Sequence, residues 1–350
     1  MPGRALAEVY RRFGEVGTSA LHGRVAVAVS RSAEALRAIE AAPARKRSPA
    51  VILAALHDLA LAGRAPALAA AYAAGDGDAA ADAAIDTLLG LTDSVVAVAV
   101  RRSPRTDETG RCAVLYPAIA EAARRVGASA VGLVDVGCGA GFNLAVDRVG
   151  ITYDRGGPLG DPSSPVRLTC SVVGDRPVPV VAVPRVAARI GIDRDPLDVT
   201  DPRDARWLRA CVPPDHAERR ARLDAEIAVT AAAPPLLLRG DAVDLVPDAL
   251  ARVPADTLPV VTTTWALSSL TPEHRLRFVH RLHDLAADRV VAWVSAEGVG
   301  VAPSVPTLGD RPASGHSLVG LAVCDGSARH VEVVGRCWSR GRLLAWLAGS

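Results

Sequence analysis

The chain has 350 residues, half of them apolar, and a formal net charge of only +2. That is enough length and apolar surface for one large domain, or for a core domain with a smaller companion. The near balance of charge removes the general electrostatic reason to expect DNA or RNA as a partner.

The first hundred residues read as helices. "RALAEVYRRFGEV" repeats Leu6, Val9, Tyr10 and Phe13 at three- and four-residue spacing, the mark of an amphipathic helix, and it has no apolar stretch of the secretory kind. "SPAVILAALHDLALAG" opens on Ser–Pro and stops at Gly63, which is good helix punctuation. His57 and Asp58 interrupt its apolar run, which is too short to span a bilayer. "PALAAAYAAGDGDAAADAAIDTLLG" is Ala-rich and broken at "GDGD", and "AVRRSPRTDETGR" reads as a junction. A helical N-terminal region over 1–105 is expected, followed by a second domain over 106–350.

From Gly110 the pattern changes. "RCAVLYPAIAEAARRVG" predicts a helix, "AVGLVDVG" a buried strand, "FNLAVDRV" a short helix and "ITYD" a short strand. Residues 155–233 read as an insertion able to roof one end of a sheet. It starts Gly- and Pro-rich, offers a hairpin in "VRLTCSVVG…VPVVAV", and ends in helices from Asp201 and Asp215. Beyond it, "PPLLLRGDA", "TLPVVTTTWA" and "DRVVAWVSAEG" predict strands separated by the helices "VDLVPDALARV" and "TPEHRLRFVHRLHDLAA". "HSLVGLAVCDG" and "HVEVVGRCW" predict a closing antiparallel pair. Strands alternating with helices point to an α/β fold, a mostly parallel Rossmann-like sheet with helices on both faces.

Gly137, Gly139 and Gly141 follow the buried strand and open a helix. In that context a glycine-rich loop holds a nucleotide-like ligand at the carboxyl edge of a parallel sheet. Dinucleotide enzymes space the glycines G-x-G-x-x-G, to seat a pyrophosphate on the helix N-terminus. Here the third glycine comes one residue early, with Phe142 behind it and Asp135 before the loop. That form suits S-adenosylmethionine better than NAD(P), with Asp135 polarising a water or holding the ligand's ammonium. The same glycines also serve any tight strand-to-helix turn. Asp154 closes "ITYD" and is a candidate for the ribose hydroxyls, with Asp193 in "GID" as its rival. Asp241 is placed to accept from the adenine amino group while Ala242 donates its backbone N–H, and it is equally a helix N-cap.

"LVDVGCGAGFN", "RGDA" and "VVTTTWALSSLTPEHRLRFVHRL" resemble successive motifs of class I S-adenosylmethionine-dependent methyltransferases, over roughly Gly110 to the C-terminus. The resemblance implies a cofactor set of Asp135, Gly137, Gly139, Gly141, Asn143, Asp154, Asp241 and Ala242, with a small molecule as methyl acceptor. The short helix after the loop departs from that pattern. The whole chain also resembles a bacterial domain-of-unknown-function family, through "TDETGRCAVLYPA", "PLDVTDPRDARWLRACV" and "LLLRGDAVDLVPDAL". That second resemblance implies no particular reaction.

Glu108 is a candidate base and Arg111 a candidate holder of an acidic substrate, or the two cap the helix that follows. His280 and His283 share a helix face with no acid or Cys to complete a metal set, so a solvated face is the plainer reading. Ser268 and Ser269 lack a nucleophile elbow. Cys112, Cys138, Cys170, Cys211, Cys324 and Cys337 are scattered without a C-x-x-C pair, which argues against a disulfide framework or a zinc site. The expected protein is a soluble, cytoplasmic methyltransferase-like chain that uses S-adenosylmethionine and binds neither nucleic acid nor membrane. A non-catalytic sensing or partner-binding module of the same fold is the alternative, and an NAD(P) oxidoreductase is a third reading. The acceptor and the oligomeric state are left open.

Overall fold

The computed structural model describes residues 2–105, 109–326 and 329–349. In chain order come α1 (Pro2–Val16), α2 (Ala20–Arg31), α3 (Ala33–Glu40), α4 (Pro49–Leu61), α5 (Pro66–Ala74), α6 (Gly77–Gly90) and α7 (Thr92–Arg101). Then follow α8 (Cys112–Val126), β1 (Ala130–Val136), β2 (Gly150–Tyr153), β3 (Leu159–Gly160), β4 (Arg167–Val172) and β5 (Arg185–Asp193). Next are α9 (Pro202–Ala210), α10 (Ala217–Ala231), β6 (Leu236–Arg239), α11 (Ala242–Ala251), β7 (Leu258–Thr264) and α12 (Pro272–Leu285). The chain closes with β8 (Val291–Gly298), β9 (Ser317–Cys324), β10 (Arg329–Trp338) and β11 (Leu343–Trp346).

The chain divides into two units, Met1–Thr106 with Thr200–Asp224, and Asp107–Val199 with Ala225–Ser350. The first is helical. Two of its helices start on aspartate caps: Asp76 accepts from Asp78 and Ala79 N–H, and Asp201 from Arg203 N–H. α4 is buried along almost its whole length, His57 and Asp58 included, and Arg206 from α9 pairs with Asp58 at 2.9 Å. Residues 200–224 therefore group with the N-terminal helices, a correction to the reading of 155–233 as one insertion in the sheet domain.

The second unit is built on an 11-stranded, mostly parallel sheet in the order β3-β2-β4-β11-β10-β9-β8-β7-β1-β5-β6. The run β8-β7-β1-β5-β6 is parallel, and β9 and β10 extend it antiparallel, as expected from their sequences. From β1 the chain winds outward through β5 to β6, then returns to the other side of β1 for β7 and β8. The order thus reverses between β1 and β7, the crevice where open α/β sheets bind ligands. One apolar core lies between α8 and the sheet, around Leu115, Ile119, Leu133 and Val260. Another lies under α11 and α12, around Val134, Ile192, Val246 and Phe278. α12 begins as its sequence predicts, with Thr271 accepting from His274 N–H and Pro272 in the first turn.

Two further expectations are corrected. β4 forms no hairpin with 178–183. It pairs parallel with β2 and with β11, while prolines 177, 179 and 184 deny that stretch a continuous ladder. β5, placed inside the expected insertion, is the strand beside β1. Among the described residues no single helix is long and apolar enough to cross a membrane.

Candidate functional site at the carboxyl edge of the sheet

β1 is buried throughout and runs straight into the glycine loop. Gly137, Gly139 and Gly141 have φ of +72°, +56° and +77°, a region that L side chains disfavour. A Cβ on Gly137 would stand 2.8 Å from Ala266 Cβ, and one on Gly141 would stand 2.8 Å from Pro235 Cγ. The turn and its packing therefore require glycine before any ligand is considered. The loop is tied to β5: Gly137 and Cys138 N–H both donate to Ile192 O, and Gly139 N–H donates to Asp193 Oδ2 at 3.0 Å.

The acids fall in different places. Asp193 ends β5, next to β1, and its Oδ1 also accepts from Asp195 N–H at 2.8 Å. Asp241 follows β6 and caps α11 through Val243 N–H at 2.9 Å, while its Oδ2 accepts from Arg194 at 2.9 Å. Burial alone would raise the Asp241 carboxyl, but Arg194 and the Val243 N–H outweigh it and hold the group below its usual range. Asp154 is elsewhere. It follows β2, which pairs with β3 and β4 and not with β1, and it accepts from Val172 N–H at 2.7 Å. The expectation that Asp154 closes the strand next to the loop is thus corrected, and Asp193 holds that position. The reason is topological: β1 takes its parallel neighbour from beyond β4.

The strand ends enclose a cavity of about 130 Å³. Val136, Gly137, Ile192, Asp193, Asp241, Ala242 and Ala266 are among its walls. Two larger hollows lie elsewhere, one of about 710 Å³ lined by Arg176, Pro177, Val181 and Trp346 and one of about 640 Å³ near Val290 and His330. Neither includes a residue of the glycine loop, so size does not decide here.

On the α8 face of the same edge lies a buried polar network. Asp135, 1 % exposed, accepts from Thr262 Oγ1 at 2.6 Å and from Asn143 Nδ2 at 3.2 Å. Asn143 Nδ2 also donates to Thr264 Oγ1, and Arg111 Nη1 donates to Thr264 O, both at 3.1 Å. The Arg111 guanidinium lies 4.9 Å from the centre of the Trp265 ring, whose Nε1 donates to Ser317 Oγ at 2.7 Å. Trp265 itself has φ +52°, a conformation that costs a bulky residue energy and often marks a functional loop. Glu108 lies outside the described residues.

One residue missed in the sequence is Glu297 at the end of β8. Its Oε1 accepts from Ala266 and Leu267 N–H at 3.0 and 3.1 Å, pinning the turn that forms the cavity wall, and its Oε2 is buried without a partner. A lone acid after "AWVSA" carries no local signal of this role. Burial pushes its carboxyl up to about 7 against the two N–H donors and the nearby Arg111 and Arg275. A raised acid is ionised in the unfolded chain first, so the contribution of Glu297 to stability is full below pH 4.5, falls as pH rises, and levels above about 7. Glu297→Gln is expected to abolish that fall while losing about 1–3 kcal/mol at low pH through its buried NH₂. Urea unfolding of both proteins from pH 4.5 to 8 checks this. Parallel curves would show that Glu297 does not titrate there.

A protein-family profile for an uncharacterised protein conserved in bacteria, DUF2332, matches residues 7–346. The chain belongs to this family. The match covers both units of the chain, so the helical unit is part of the family's architecture. No curated protein and no solved structure matches the chain.

Proposed function

We propose that the chain is an S-adenosylmethionine-dependent methyltransferase acting on a small molecule. The observation that carries the reading is the gathering of Gly137, Asp193, Asp241 and Ala242 around one cavity at the reversal of strand order. In this reading Asp193 meets the ribose hydroxyls, while Asp241 accepts from the adenine amino group. Ala242 donates to the ring, and Ile192 and Leu270 supply apolar walls. Arg194 must then leave Asp241 or move with it as the nucleoside enters. Methyl transfer asks little more of the protein than in-line positioning and exclusion of water, because the sulfonium is already a good leaving group.

A non-catalytic ligand-sensing module is the second reading. It is favoured by the self-sufficiency of the loop, whose Gly137 and Gly141 are needed for packing and whose Gly139 N–H is already bonded to Asp193. The spacing of the glycines counts against an NAD(P) oxidoreductase. Thermal melting with S-adenosylhomocysteine, NAD and NADP separates the classes. S-adenosylhomocysteine at a hundred times its Kd is expected to stabilise the fold by about 2.7 kcal/mol, with NAD and NADP inert. A response to NADP alone would reassign the chain to the oxidoreductases.

A further inference from the structure

None of Arg111, Asn143, Thr264 and Trp265 lines the cavity, although all four stand at the same carboxyl edge. They occupy the other face of the sheet, with α8, Leu144 and Val146. Two of their polar atoms are buried without a partner: Arg111 Nε and Asn143 Oδ1. Asn143 is only 8 % exposed. Its amide orientation is set, because Nδ2 must donate to both Asp135 and Thr264, leaving Oδ1 as a bare acceptor. Arg111 is aligned from two sides, by Thr264 O and by the Trp265 ring, and forms no ion pair among the described residues. An aligned cation and a bare acceptor thus flank a single residue, Thr264, beside a tryptophan in a strained backbone conformation.

We propose that this corner is a subsite for the carboxylate of an amino-acid-like group. Arg111 takes the carboxylate by charge-assisted hydrogen bonds, and Asn143 Oδ1 accepts from the adjacent ammonium. The inference rests on the methyltransferase reading for its two sources, which share this chemistry: the acceptor, or the amino-acid end of the cofactor. The separate lining of the nucleoside cavity favours the acceptor.

Two titrations of the full chain test it. The first compares S-adenosylhomocysteine with 5′-methylthioadenosine, which lacks the amino-acid end. The second titrates glycine and acetate into protein saturated with S-adenosylhomocysteine. Arg111→Ala is expected to weaken the carboxylate-dependent binding by about tenfold or more, and Arg111→Lys to keep part of it. Loss in the first titration assigns the carboxylate to the cofactor. Loss in the second, with glycine bound more tightly than acetate by the parent, assigns it to the acceptor. Either supports the subsite. Should Arg111→Ala not melt as a folded protein, Arg111→Lys decides alone. If the parent binds neither thioadenosine, the methyltransferase reading falls, and glycine titrated into the unliganded protein decides the subsite. Binding that is unchanged in a folded Arg111 variant, or a parent that prefers no carboxylate in either titration, overturns the proposal.

Discussion

Acidification below pH 6.5 is expected to strip the helical unit of several kcal/mol of stability. His22 and His57 are 6 % and 3 % exposed and pack edge-on against each other and Tyr72, with ring centres 5.4–6.2 Å apart. Burial, joined by repulsion from His57, pulls His22 down to about 3 against the attraction of Asp215. Burial likewise lowers His57 to about 4, although its ring nitrogen bonds Ala210 O. Both rings are therefore neutral in the fold. The unfolded chain takes up protons first as pH falls through 6.5, so stability is intact above that value and is lost progressively towards the folded values. A tenfold change in proton affinity corresponds to about 1.4 kcal/mol, so two imidazoles shifted this far lose several kcal/mol between them on acidification. His22 Nε2 has no hydrogen-bond partner, so His22→Leu is expected to be near neutral at pH 7 and to blunt the acid loss. Urea midpoints from pH 7 to 4 test the pair. An equal acid loss in the variant would assign the sensitivity to other groups.

Gly137→Ala is expected to destabilise the sheet unit by about 2–4 kcal/mol, through overpacking added to left-handed strain. The new methyl would meet Ala266 Cβ at 2.8 Å, and Ala266 is poorly able to yield because Glu297 holds its N–H and that of Leu267. Gly127→Ala is the control. That glycine ends α8 with φ +66° and open space around it, so only about 1–2 kcal/mol of strain is expected. Denaturant unfolding of the two variants compares them directly, and equal losses would mean that the loop yields and the contact with Ala266 is not tight.

Local signals carried much of the fold. β1, α8 and α12 announce themselves through a solid apolar run, a glycine C-cap and a Thr–Pro start. What they do not carry is which strands become neighbours. "RVAARIGID" has two arginines and lies some fifty residues beyond β1, yet it pairs with β1 from Arg185 to Ile192, with Ile190 and Ile192 in one apolar core with Val246 and Leu250 of α11. Arg189, which obscures the strand pattern, is accounted for by Asp147 at 2.8 Å. Hence Asp193 looked like the remote acid and Asp154 the near one. The same limit applies to the site. Asp135 and the glycines stand in one continuous motif, whereas Glu297, Thr264 and Trp265 matter only because β7 and β8 end beside them. Pairing of parallel strands is decided by crossovers and burial across the whole sheet, and no short window records it.

In the proposed function the carboxyl ends of β1, β5 and β6 hold the nucleoside of S-adenosylmethionine, with Asp193 at its ribose. Calorimetric titration of S-adenosylhomocysteine into the parent, Asp193→Asn and Asp154→Asn tests it most directly. Asparagine keeps a side-chain acceptor for Gly139 N–H at position 193 but gives up the bond to Asp195 N–H, so the melting temperature of the variant is compared with the parent's beside the titration. One binding site is expected in the parent, with affinity lower by about tenfold in Asp193→Asn and parental affinity in Asp154→Asn. No binding by the parent, or a loss confined to Asp154→Asn, would contradict it.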